Sequence, residues 1–139
     1  MSTEQNKTIV RRFLEASIDS DPSGLKELLP SDFLAHIPSG PTNREGFIQH
    51  NSTFTKAFSD KQFVVEDLIA EGDKVVALAT WKGVHSAAFM GVPPTGKQIA
   101  VGATLVERFK DGKLVEHKSL FDTLGMMQQL GIVPAPQPR

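Results

Sequence analysis

The chain has 139 residues, 40% of them hydrophobic, and its 15 basic and 16 acidic residues give a formal net charge of −1. The absence of cysteine excludes disulfides, thiolate nucleophiles and cysteine-ligated zinc. The charge pattern predicts neither nucleic acid nor a membrane as a partner. We expect one domain over residues 1–133 and an extended proline-rich tail at 134–139. The N-terminal residues lack the order of a signal peptide, so we expect a cytoplasmic protein.

The first third of the chain has mostly helical periodicity. Residues 3–18 predict an amphipathic helix, with Phe13 on its apolar face. A short helix through residues 25–29 is ended by Pro30, and an extended segment, 31–38, follows it. A third helix is expected from about Asn43 to Phe58.

After the third helix the period becomes that of strands. The strand candidates are 62–70, 74–84, 99–109 and 114–121, and two glycine-containing turns join the first pair and the last pair. A longer excursion, 85–96, separates the two pairs, and a helix ending at Gly131 closes the domain. This order predicts an α+β fold, with helices on one face of a curved antiparallel sheet that encloses a cone-shaped cavity.

Alternation assigns side chains to the two faces of the sheet. Glu116, Lys118, Leu120 and Asp122 share one face of the last strand, and His117 is expected on the other. We expect a homodimer that forms through the outer sheet face, for which the alternation suggests Val101, Leu105 and Val115.

Asp122 stands where a strand passes into a helix, and two interpretations of it remain open. An aspartate at this point is a good helix N-cap. If it instead lines a cavity, desolvation would raise its pKa towards the range of a general acid or base.

The four histidines are the other polar candidates. His36 is either hydrogen-bonded to the backbone or directed into a pocket, and His85 begins the excursion just after Trp81, whose neighbours on the same strand face are small. His50 is expected at the surface. The spacing of the histidines along the chain does not favour a metal site.

Several segments together resemble the SnoaL-like polyketide cyclase family of the nuclear transport factor 2-like superfamily. They are Asp32-Phe33 followed by His36, VEDLIAEGDKVV from Val65, the excursion FMGVPPTG from Phe89, and DGKLVEHKSLFDTLGMMQQLG from Asp111. The resemblance covers about residues 6–133. It implies the cone-shaped α+β barrel of that superfamily (also called cystatin-like).

The resemblance also implies an activity. It suggests a cofactor-independent enzyme in which Asp122 removes a proton next to a carbonyl, leading to aldol cyclisation or isomerisation. His36 and His85 would line the cavity as hydrogen-bond donors to the substrate, an apolar or aromatic carbonyl compound. The expected pocket walls are Phe13, Phe33, Trp81, Phe89, Lys118, Leu120 and Met126.

The chain departs from the family pattern at two places. Ala87-Ala88 replaces a frequent Gly-Glu pair, and Lys118 replaces a common tryptophan. These departures argue against a large flat polyketide as the ligand. Two alternatives therefore stay open: a hydrolase or dehydratase that uses the same aspartate, and a module that binds a small molecule or dimerises without catalysis.

Overall fold

The computed structural model of the chain describes residues 2–134, and the predicted α+β fold is confirmed. Residues 135–139, most of the predicted tail, lie outside this range. In chain order the elements are α1 (Thr3–Ile18), α2 (Ser23–Leu28), β1 (Leu34–Ile37), β2 (Gly40–Thr42), α3 (Arg44–Thr55), β3 (Phe58–Glu71), β4 (Lys74–His85), β5 (Gln98–Lys110), β6 (Lys113–Phe121) and α4 (Thr123–Leu130).

The strands form one sheet in the order β2-β1-β6-β5-β4-β3. The four long strands pair antiparallel, as predicted, but β1 pairs parallel to β6, so the sheet is mixed. The sequence pattern showed β1 only as an extended segment and missed β2. These strands have four and three residues, too few for alternation to be recognised.

One face of the sheet, the inward face, packs against α1 and α3. On β4 its buried positions include Val75, Ala77, Ala79 and Trp81. The odd-numbered residues from Ile99 to Phe109 continue this face on β5. The residues between them form the outer face. Burial of this alternating apolar set supplies most of the driving force for packing the helices on the sheet.

The prediction that Val101, Leu105 and Val115 lie on the outer face is wrong, because all three are buried, with exposed fractions of 2%, 3% and 9%. Val101 and Leu105 share their face of β5 with Glu107. Alternation separates the two faces of a strand but does not show which one is buried, and even Glu107 is fully buried.

The interior holds two clusters of side chains. One joins Phe13, Phe33 and Phe47, and the other surrounds Trp81 at the end of the cone near α4. The room expected beside the indole is occupied, since the rings of Phe54 and Phe58 lie 4.8 and 4.9 Å from it, centroid to centroid.

Helix α4 covers that end of the interior. It buries Met126 and Leu130 against the Trp81 cluster and ends at Gly131, whose left-handed backbone has φ +81°. The Gln129 amide binds both backbone groups of Ala100, at 2.8 and 2.9 Å, where β6 no longer accompanies β5. Within residues 2–134, no helix combines the length and apolar character needed to cross a membrane.

Candidate active site

Asp122 is the N-cap of α4. Its carboxylate accepts a hydrogen bond from the Gly125 amide at 2.9 Å, and its own N–H donates to the Gly102 carbonyl at 3.0 Å. The side chain is exposed. Of the two interpretations left open by the sequence, the helix cap is therefore confirmed, and an acid/base role stays a prediction.

His36 lies on the outer face, so its predicted position in the cavity is wrong. Its neighbour Ala35 takes the inward position opposite His117. The Nε2 atom of His36 is 2.6 Å from one carboxylate oxygen of Glu116, and Arg108 binds the other oxygen at 2.7 Å. These hydrogen bonds hold the pKa of Glu116 below its usual range.

Lys118 and Leu120 were predicted as pocket walls, and this placement is also wrong. Lys118 pairs with Val106 and Leu120 with Thr104, both outer-face positions of β5. Leu120 is 69% exposed and Lys118 is exposed as well. The pairing of β6 with β5 decides this, because it directs His117, Ser119 and Phe121 inward instead.

His85 is fully buried at the end of β4. Its Nδ1 accepts a hydrogen bond from the Thr95 backbone N–H at 3.2 Å, so a neutral ring carries its proton on Nε2. Nε2 is buried and has no hydrogen-bond partner within residues 2–134. The structure shows no cavity beside it within residues 2–134.

The structure does not bring Asp122, His36 and His85 together. Asp122 is bonded to β5 at Gly102, and the backbone of His85 is bonded to Lys97, just before β5 begins. Five residues along a strand correspond to about 17 Å. Met126 and Leu130 of α4 fill the same end of the interior as His85.

The remaining predicted walls are divided between the two interior clusters. Phe13 and Phe33 both contact Phe47 in the first cluster. Met126 belongs to the second, and Phe89, which is half-buried, packs its ring against Phe54 and Phe58 there. They do not line a common pocket.

The sequence interpretation missed one polar pair. Glu107 Oε1 and His117 Nδ1 are 2.5 Å apart on the inward faces of β5 and β6, and Glu107 is fully buried. The other oxygen, Oε2, has no partner within residues 2–134. Desolvation raises the pKa of Glu107, and His117 partly offsets this. The sequence feature that could have revealed this pair was an acidic residue, Glu107, among the apolar residues of its strand face, opposite His117 across the hairpin.

Two open grooves lie on the molecular surface. One, of about 350 Å³, runs between α1 and β3 and is lined by residues such as Lys7 and Arg11. The other, of about 410 Å³, lies along α3. Neither is lined by a predicted site residue. Within residues 2–134, no three histidine or carboxylate side chains are grouped to hold a metal ion.

Comparison with known proteins identifies relatives along nearly the whole chain. The sequence profile of the SnoaL-like polyketide cyclase family matches residues 8–130. Aklanonic acid methyl ester cyclase DnrD of Streptomyces peucetius is 30% identical over 146 residues, which cover 99% of this chain and 97% of that protein.

Solved structures show the same fold. TsrD from Streptomyces laurentii superimposes with a TM-score of 0.85 at 26% identity, over 96% of this chain and 99% of that one. IdmH from Streptomyces antibioticus, a proposed polyketide cyclase, has a TM-score of 0.80 at 31% identity, over 90% and 97%. AclR from Streptomyces galilaeus, a proposed hydroxylase, has a TM-score of 0.88 at 27% identity, over 98% and 87%.

Proposed function

Since the chain belongs to the SnoaL-like polyketide cyclase family, we propose that it is a cofactor-independent enzyme that closes a ring by intramolecular aldol addition, with Asp122 as its acid/base. The substrate is a carbonyl compound of the polyketide type. The carboxylate takes a proton from a carbon next to a carbonyl, and the electron pair of that C–H bond becomes an enolate. The enolate carbon attacks a second carbonyl, and the same proton returns to the new alkoxide oxygen.

The observation that carries this proposal is the position of Asp122. It stands at the end of β6, at the position that the family resemblance assigns to the acid/base, and its neighbour Phe121 enters the interior. The ring of Phe121 contacts those of Phe54 and Phe63 and remains 36% exposed. Asp122 therefore directly follows, in the chain, an aromatic surface that a flat apolar substrate can cover.

Lys118, whose predicted place in the cavity argued against a large flat ligand, lies on the outer face. Aklanonic acid methyl ester, named for the relative DnrD, is therefore the probe for the test. Wild-type protein and Asp122→Asn are compared for ring closure of this ester, with Asp111→Asn, in the turn between β5 and β6, as the matched control. We expect ring closure by the wild type and by Asp111→Asn but not by Asp122→Asn. Asparagine keeps the helix cap, so a loss of turnover would report on chemistry. Equal turnover by Asp122→Asn would contradict the proposal.

A second candidate function is ligand binding without catalysis. The exposure of Asp122 and its use as a cap favour it, because the carboxylate faces solvent and is already engaged by the Gly125 amide. Binding of the ester without turnover by wild-type protein would support this alternative.

We also propose that two copies pair through the outer face. Leu34, Leu78 and Leu120 are exposed there, by 37%, 38% and 69%. Their burial would favour association. We expect a dimer in sedimentation equilibrium and a shift towards monomer in Leu120→Glu, whereas a monomeric wild-type protein would contradict this proposal.

A further inference from the structure

The inward face of β6 becomes steadily more buried from the end of the strand towards its middle. Phe121 is 36% exposed, Ser119 is half-buried, His117 is 5% exposed and its partner Glu107 is fully buried. These side chains lie on the same side of the sheet and lead from the neighbourhood of Asp122 to the buried pair. A ligand that extended inward from Asp122 along this face would reach the buried pair.

We propose that Glu107 and His117 form a carbonyl-binding subsite, in which Glu107 holds Nδ1 of His117 and the Nε2–H of His117 donates a hydrogen bond to an oxygen at the far end of the substrate. His117 is the residue that touches the ligand, and Glu107 is a positioning residue. This inference rests on the proposed function, since it places the reacting end of the same substrate at Asp122. The subsite supplies the donor that the sequence analysis assigned to His36 and His85.

The surroundings of the pair set its charge. The rings of Phe13 and Phe47 lie 5.2 and 5.1 Å from the imidazole, edge-on. A net charge in such apolar surroundings is costly, so a neutral pair is favoured over a lone carboxylate. The raised pKa of Glu107 agrees with this.

A neutral pair has its protons in one of two arrangements. Either Glu107 is ionised and His117 carries both ring protons, or Glu107 is protonated and donates to Nδ1. In both arrangements Nε2 carries a proton. Nδ1 is engaged by Glu107, and Nε2 is the nitrogen left to bind a ligand. A donor of this kind selects a carbonyl or an enolate oxygen over a hydrocarbon edge.

Within residues 2–134, no other charged side chain faces the pair from the elements packed around it. The inward positions nearby are apolar on β3, β4, β5 and β1, and the buried residues of α1 and α3 are uncharged. His85 is the other titratable residue on the inward face, about ten residues away along β5. The binding properties of the subsite therefore depend on the protonation of Glu107 and His117 themselves.

The spacing also indicates the size of the substrate. His117 and Asp122 are five positions apart along the chain, which corresponds to about 17 Å of extended backbone, so one side chain alone cannot bridge them. We therefore expect an elongated substrate of several rings with a carbonyl at its inner end.

Anthraquinone-2-sulfonate and anthracene-2-sulfonate test the proposal, because they share a three-ring frame and a soluble group but only the first has carbonyl oxygens. Binding is measured by calorimetry to the full chain. We expect wild-type protein to bind the anthraquinone about tenfold more tightly, the worth of one good hydrogen bond. The double variant Glu107→Leu/His117→Phe should lose this preference while it keeps an apolar, well-packed interior.

A pH series provides a readout that a structural role would not change. For wild-type protein the preference for the anthraquinone should weaken as rising pH removes the proton of the pair. In Glu107→Gln, which has no carboxyl to titrate, this dependence should disappear. Identical pH profiles, a preference that survives in the double variant, or no preference in wild-type protein would each overturn the proposal.

Asp122→Asn separates this inference from the proposed function. We expect that variant to keep the wild-type preference for the anthraquinone even though it loses ring closure. If Asp122→Asn turns over normally while the double variant loses its preference, the acid/base assignment fails and the subsite stands. The reverse pattern would leave Asp122 as acid/base and remove the subsite.

Discussion

His117 Nδ1 lies 2.5 Å from Glu107 Oε1 across the β5–β6 hairpin, and the two residues are direct register partners. A buried carboxylate beside a histidine is costly to retain in an interior of phenylalanine and leucine. The cost of burying this carboxylate should therefore show in the pH dependence of the free energy of unfolding.

The first prediction concerns Glu107→Gln. Because burial raises the pKa of Glu107 above its ordinary value of 4.5, the folded state holds this proton more tightly than the unfolded state. The stabilisation that this tighter proton binding gives the folded state is fully present below pH 4.5. It is lost as pH rises through the pKa of Glu107 in the folded state. The free energy of unfolding of Glu107→Gln, relative to wild type, should therefore increase with pH in urea titrations between pH 4.5 and 8.

Glu116→Gln is the control for that series. Glu116 is partly exposed and its pKa is lowered by His36 and Arg108, so its contribution is lost as pH falls. That loss occurs below pH 4.5, so the difference between Glu116→Gln and wild type should stay nearly constant from pH 4.5 to 8, while that of Glu107→Gln rises. Parallel curves would mean that Glu107 is solvated in the folded protein.

The second prediction separates the structural from the chemical role of Asp122. Alanine removes the cap on the Gly125 amide, so Asp122→Ala should lose about 1 kcal/mol of stability, whereas Asp122→Asn should lose little. Denaturant titration measures both. If the asparagine variant is as unstable as the alanine variant, the carboxylate has a structural role beyond the cap.

The third prediction displaces the Asp122 carboxylate without removing it. A Cβ on Gly125 would lie 2.2 Å from Oδ2 of Asp122, so Gly125→Ala must turn the carboxylate away. Loss of the cap and the gain in helix propensity oppose each other, so stability should change by less than about 1 kcal/mol. Ring closure of the probe ester should fall towards the level of Asp122→Asn.

Gly102→Ala is the matched control for that substitution. A Cβ at Gly102 meets nothing within 4 Å, although the residue is adjacent to Asp122 through its carbonyl. We expect normal ring closure from Gly102→Ala. Normal activity in Gly125→Ala as well would show that the orientation of the carboxylate does not matter.

The fourth prediction concerns Gly83, which lies under Trp81. A Cβ there would approach the indole to 2.9 Å and Phe58 Cβ to 3.2 Å. Gly83→Ala should therefore shift the indole and lower stability by about 1–3 kcal/mol. Trp81 is the one tryptophan of the chain, so its fluorescence maximum reports the shift directly. An unchanged spectrum would show that the neighbouring backbone yields instead.

The sequence predicted the long elements well because α1 and β3 to β6 each repeat their pattern many times. It failed on the faces of the last two strands. Val101 and Leu105, which share their face of β5 with Glu107, were predicted on the outer face, since alternation separates two faces but cannot show which one is buried. Only the register between β5 and β6 reveals the pair of Glu107 and His117.

The candidate site was also predicted only in part, because local patterns were recognised and long-range pairings were not. The cap at Asp122 depends on residues three positions apart, and the strand–helix junction could be recognised locally. The placement of His36 depends on a parallel pairing with β6, about 80 residues away in the chain. No local pattern predicts such a pairing, so the residues left a pocket position for His36 open and the resemblance favoured it.

The Gln129 amide has a consequence for the behaviour of many copies in solution. By donating to and accepting from Ala100, it takes the place of a neighbouring strand where β6 has already ended. An open strand edge is a template on which other chains can assemble. We therefore expect the Gln129 side chain to keep other chains from pairing with this end of β5. It does so only while α4 stays in place.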